Sequence, residues 1–134
     1  MRHAIEEQAR AELPNECCGI LAGRLAAGFE KPLAIVDASH RFPLVNEAAS
    51  PREFFSDARS LIDAHVQMRE LGVEIVAIYH SHPSTPPVPS AHDRRRHYYP
   101  DAMSLIISLE NETPNLRGWW LTEESAEPAE ILEA

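Results

Sequence analysis

The 134-residue chain has little cysteine, little positive charge and no long apolar run. Its only two cysteines, Cys17 and Cys18, are neighbours. A disulfide between adjacent residues is strained, so both read as reduced thiols, which excludes a disulfide-stapled secreted scaffold and fits a cytoplasmic protein. Twelve basic residues stand against twenty-one acidic ones, for a net charge of −9. Such a chain repels phosphate backbones, so nucleic acid is not an expected partner; a basic protein or peptide segment suits it better. No segment reaches the roughly 18 apolar residues of a membrane span. The N-terminal MRHAIEEQARAEL is charged throughout and has no apolar signal-peptide core. Neither export nor a membrane is expected. Internal repeats and low-complexity tracts are also missing.

What remains is an ordinary apolar fraction of 44% in a length that suits one domain, 1–134, with a core large enough to need no staple. Residues 2–12 are strong helix formers stopped near Pro14. CCGILAG (17–23) and PLAIVDASH (32–40) read as strands, and FPLVNEAASPREFF (42–55) as an irregular connector. A helix is expected over 56–72, with Gly72 as its C-terminal cap. VEIVAIYH (73–80) is nearly continuous in apolar residues and β-branched, the pattern of a central strand covered on both faces. The proline-studded 83–92 is a loop. A short helix then follows, with Ser90 as N-cap. MSLIISLE (103–110), LRGWWLTE (116–123) and AEILEA (129–134) complete the strands. The fold class is α/β (α+β): a mixed sheet flanked by helices.

The chemistry concentrates in HSHPSTPPVPSAHD, His80 to Asp93. His80 and His82 are two apart at the end of the best strand, and extended chain points i and i+2 to one face. Asp93 closes a two-histidine, one-carboxylate set of the kind that holds a catalytic metal with one position open. Pro83, Pro86, Pro87 and Pro89 stiffen the loop between these groups, and Ser90 could offer a hydroxyl beside them. His92 and His97 are expected to face solvent, and His3, His40 and His65 to be structural or surface residues. Cys17 and Cys18 read as one buried small hydrophobe and one thiol facing the other way. Arg94-Arg95-Arg96 is either a solvated helix face or a dock for a substrate's acidic group. Asn46 could hydrogen-bond an extended substrate backbone. Of Trp119 and Trp120, one is expected in the core and the other exposed to a partner.

The run His80-Ser81-His82-Pro83, with Ser90 and Asp93 at their offsets, resembles the signature of the JAMM (MPN+) metalloprotease family. The likeness extends to PNECCGILAG, which places Glu16 where the family has an upstream glutamate, and to the closing strands; it spans roughly residues 8 to 123. One departure is that the chain begins almost at its first helix, where many members carry a strand. The resemblance implies a JAMM/MPN, cytidine-deaminase-like fold and one Zn2+ per chain held by His80, His82 and Asp93. Glu16 would be the general base, and Ser90 would support the oxyanion or the attacking water. It also implies hydrolysis after the Gly-Gly tail of a ubiquitin-like or sulfur-carrier protein. The leaving group would be a lysine, or a terminal amino acid such as cysteine. Alternatives are a non-catalytic MPN-type interaction scaffold and a RadC-like DNA-associated protein, the latter opposed by the negative charge. Monomer and homodimer are both left open.

Overall fold

In a computed structural model, residues 1–24 and 38–131 are described. Their elements run α1 (Arg2–Ala11), β1 (Cys18–Gly23), β2 (His40–Leu44), α2 (Ala58–Leu71), β3 (Glu74–His82), α3 (Ala91–Arg95), β4 (Met103–Ser108), β5 (Asn115–Leu121) and β6 (Ala126–Ala129). The strands form one mixed sheet in the order β2-β1-β3-β4-β5-β6. All neighbours are antiparallel except β3 and β4, which run parallel. A parallel pair needs a crossover. Here residues 83–102 supply it, carrying the proline loop and α3. The β3 strand is covered on both faces, as its composition predicts. Ile5 and Ala9 of α1 pack on Cys17, Leu21, Tyr79 and Ile107. Ala64 and Met68 of α2 pack on Cys18, Ile20, Ala22 and Phe42 on the opposite face.

Local chemistry explains most boundaries. Asp57 caps α2 by accepting from the Ser60 amide, and Gly72 ends it at φ 68°, a left-handed conformation that favours glycine. The helix turns Ala64 and Met68 inward and leaves Ile62, Val66 and Leu71 exposed, so only part of its apolar set is core. Gly19 is required by packing: a Cβ there would lie 2.1 Å from the Tyr79 ring.

Three expectations change. The expected strand over 32–40 falls mostly on residues outside those described; the observed β2 begins at its last residue, His40, and runs on into the predicted connector. Its Pro43 is tolerated because β2 is an edge strand. The last strand pairs earlier, at Ala126–Ala129, again on an edge that accepts Pro128, and residues 132–134 lie outside the described part. Both tryptophans have structural work. Trp120 is buried, and Trp119, half-buried, donates its indole N–H to the Pro87 carbonyl at 2.9 Å. It secures the proline loop and is only partly exposed.

Candidate metal centre

The β3 strand runs two residues further than its apolar stretch, through His82. Both imidazoles therefore stand on an ordered strand end and face the α2 side. They lie at the carboxyl end of a strand where the sheet's direction pattern changes, a common position for sites in open sheets. Asp93 reaches them from the first turn of α3. Ser90 accepts a hydrogen bond from the Asp93 amide at 3.0 Å, and the Asp93 carboxylate accepts from the Ser90 amide at 2.9 Å. This reciprocal capping box orients the carboxylate. Ser90 itself is exposed.

The three groups converge on one point. His80 Nε2 and His82 Nε2 are 3.2 Å apart. Asp93 Oδ2 is 3.3 Å from the first and 3.2 Å from the second. A tetrahedral ion with bonds of roughly 2.0–2.1 Å spaces its ligands about 3.3–3.4 Å apart, so this triangle fits one face of such a site. All three residues are buried, and they are the cluster among the described residues able to hold a metal ion. The His82 ring is oriented by its other nitrogen, 2.8 Å from the Pro86 carbonyl. With Nδ1–H donating there, Nε2 is left as the ligand atom. The proline loop thus does more than stiffen: one of its carbonyls sets the His82 tautomer, while Ser108 and Trp119 pin its backbone. Burial opposes ionisation of Asp93, yet hydrogen bonds from His80 and His82 and from the Ser90 amide hold its carboxyl well below the ordinary range. Burial likewise opposes charge on His82, but Asp93 and the Pro86 carbonyl raise its pKa. The site draws positive charge to itself.

Glu16 arrives by register. Because β1 is antiparallel to β3 and pairs Cys18 with His80, the residues before β1 lie beside the end of β3. Glu16 is 3% exposed, and its Oε1 has no hydrogen-bond partner. Burial pushes its pKa up to about 8; the positive potential of His82 opposes this, and the negative charges of Asp93 and Glu53 add to it. A buried carboxylate oxygen without a partner is costly. A solvent or substrate proton at the metal point would satisfy it.

Asn46 is turned inward. Its Nδ2 donates to the carbonyls of Glu16 (3.0 Å) and Glu53 (3.1 Å), and its Oδ1 accepts from the amides of Ala48 (3.1 Å) and Phe55 (2.9 Å). The carboxamide's hydrogen-bonding positions are filled by this chain's own backbone, so the expected bond to a substrate strand is corrected to a bond that positions Glu16. The sequence offered no signal for the next two contacts. Phe54 stacks on His80 with ring centroids 4.7 Å apart, and Glu53 Oε2 lies 3.4 Å from His92 Nε2. His92 and His97 are partly buried, His97 lying 3.0 Å from the Ala102 carbonyl, so neither simply faces solvent. Of the arginine run, Arg94 is half-buried and Arg95 exposed, while Arg96 stacks over Phe55 at 4.7 Å. Cys17 and Cys18 do face opposite sides of the sheet, but both are fully buried, and burial raises their thiols to about 11 and about 12.

Residues 1–122 match the family described as prokaryotic homologs of the JAB domain. Desampylase of Haloferax volcanii is 37% identical over 109 residues, covering 81% of this chain and 72% of that protein. The CysO-cysteine peptidase of Mycobacterium tuberculosis is 28% identical over 134 residues, covering 98% of this chain and 86% of that protein. A solution structure of a protein from Desulfitobacterium hafniense superposes with a TM-score of 0.81 at 33% identity, over 98% of this chain and 86% of that one.

Proposed function

The chain belongs to the prokaryotic JAB-domain family, and from that premise we propose that it is a zinc-dependent peptidase or isopeptidase. It hydrolyses the bond after the Gly-Gly tail of a ubiquitin-like or sulfur-carrier protein. The observation that carries this reading is the buried triangle of His80, His82 and Asp93 with the unpartnered oxygen of Glu16 beside it. Two histidines and a carboxylate suit zinc and leave a coordination position open. The names of the relatives, a desampylase and a CysO-cysteine peptidase, supply the substrate class.

Zinc held by these three residues would lower the pKa of a water from 15.7 to about 7 and polarise the scissile carbonyl. The rest is the work of the chain. Glu16 takes the proton from the attacking water and delivers it to the departing amine. Its unpartnered oxygen is free to accept that proton and then release it within one cycle. The Ser90 hydroxyl accepts from the Asp93 amide and keeps its own hydrogen to donate to the developing oxyanion. Asn46 holds the Glu16 backbone while the side chain carries the proton.

The test is zinc content together with cleavage of a Gly-Gly-tailed carrier fused to a short peptide, for wild type and Glu16→Ala. The expected result is equimolar zinc in both proteins and cleavage by the wild type alone. Zinc-loaded wild type that cleaves no such fusion would refute the hydrolase reading and leave a recognition scaffold in its place.

A further inference from the structure

A cavity of about 180 Å³ opens beside the metal ligands. Ile20 and Ile78 of the sheet and Leu61 of α2 line it, and His80 and Asp93 form its wall on the metal side. A cavity of roughly 150 Å³ with apolar walls accepts a benzene ring, so this one suits a leucine- or phenylalanine-sized side chain. At its edge the exposed Arg96 lies over the half-exposed Phe55 ring. Among the described residues no carboxylate pairs with Arg96.

These observations constrain an occupant. The cleaved bond must sit where His80, His82 and Asp93 converge, so the residues flanking that bond are the ones able to enter a cavity walled by two of the three. On the acyl side the proposed substrate ends in glycines, which have no side chain to place there. The occupant therefore belongs to the leaving fragment. A guanidinium laid on an aromatic ring at the rim has its donors fixed for a planar carboxylate, and the nearest carboxylate on a single departing residue is its own.

We propose that this cavity is a specificity pocket for an apolar residue directly following the cleaved bond, and that Arg96 binds the free α-carboxylate of that residue. The preferred reaction is then removal of one apolar C-terminal residue from a Gly-Gly-tailed carrier rather than release of a lysine-linked protein. This rests on the hydrolase reading above. One water is consumed: its oxygen joins the glycine carbonyl carbon, the C–N bond breaks, and the nitrogen leaves as the residue's free amine.

The test uses the zinc-loaded protein and carriers ending Gly-Gly-X, with X leucine, phenylalanine, alanine or aspartate, each leucine and phenylalanine carrier also made as the C-terminal amide. Leucine and phenylalanine should exceed alanine and aspartate in kcat/KM by roughly 10- to 100-fold, the range that one apolar pocket supplies. Arg96→Gln should lower the rate on the free acid about tenfold and leave the amide unchanged. Leu61→Trp, which fills the cavity, should reverse the preference toward alanine. Equal rates across X, or equal effects of Arg96→Gln on acid and amide, would overturn the pocket. A second measurement separates its failure from that of the hydrolase reading: binding of free L-phenylalanine and L-alanine, followed by NMR shifts at Leu61 and Ile78. Selective phenylalanine binding without any fusion cleavage would retain the pocket and refute the hydrolase; absence of both would refute both.

Discussion

Replacing Glu16 by glutamine should abolish cleavage and yet stabilise the metal-free protein at alkaline pH. Glu16 is 3% exposed, and one of its oxygens has no partner. Its folded pKa of about 8 lies above the ordinary carboxylate value of 4.5, because burial disfavours the anion and the charges of Asp93 and Glu53 repel it. The sign follows from proton binding. Between pH 4.5 and 8 the folded state holds a proton that the unfolded state has released, so wild-type stability falls as pH rises through that window and levels off above it. At 1.36 kcal/mol per pH unit the full penalty is roughly 4–5 kcal/mol. Relaxation and water entry reduce such costs, so about 2–3 kcal/mol is the expected gain. Glutamine keeps the shape and does not titrate. The assay is urea unfolding of wild type and Glu16→Gln in chelator at about pH 5 and about pH 9. The variant should gain on the wild type by that amount between the two conditions while turnover of the zinc-loaded form drops by at least a hundredfold. A stability difference that stays constant with pH, or that moves the other way, would refute the claim that Glu16 is a buried, unsatisfied base.

Four further outcomes are expected. His82→Ala removes one vertex of the ligand triangle and should reduce bound zinc, by elemental analysis, below a tenth of the wild-type stoichiometry. Ser90→Ala deletes the α3 cap and should cost about 1 kcal/mol of stability, with a loss of kcat larger than that figure explains if the hydroxyl also serves the oxyanion. Asn46→Ala leaves four backbone groups unpaired and should lower stability by about 2–4 kcal/mol by denaturant titration. Gly19→Ala drives a methyl into the Tyr79 ring and should lower the Tm by about 5 °C or more, since overpacking costs about 1–3 kcal/mol.

The two-residue spacing of His80 and His82, their place at the end of an apolar strand and the offsets of Ser90 and Asp93 are local facts, legible in the order of residues alone. So are α1, α2 with its glycine stop, and the central strand, because hydrophobic period and capping residues are written in consecutive positions. Edge strands are legible only in part. The β2 and β6 strands contain Pro43 and Pro128, and a proline masks a strand unless one knows that its missing N–H would point away from the sheet.

Glu16 marks the division. Its neighbours in sequence say nothing about a base; likeness to a family singles it out, and what brings it beside His80, His82 and Asp93 is the antiparallel register that sets Cys18 against His80. Asn46 shows the same limit from the other side: an amide in a connector reads as a free hydrogen-bonding group until the fold fills every one of its positions with main chain. The candidate metal-binding set is written in the chain order, because its three side chains are held by one strand end, one stiff loop and one helix cap. What surrounds that chemistry comes from folding: the burial of Glu16, the Phe54 stack on His80 and the apolar cavity beneath Arg96. Each of these is made by elements distant along the chain, whose meeting depends on sheet order and packing and has no local signature.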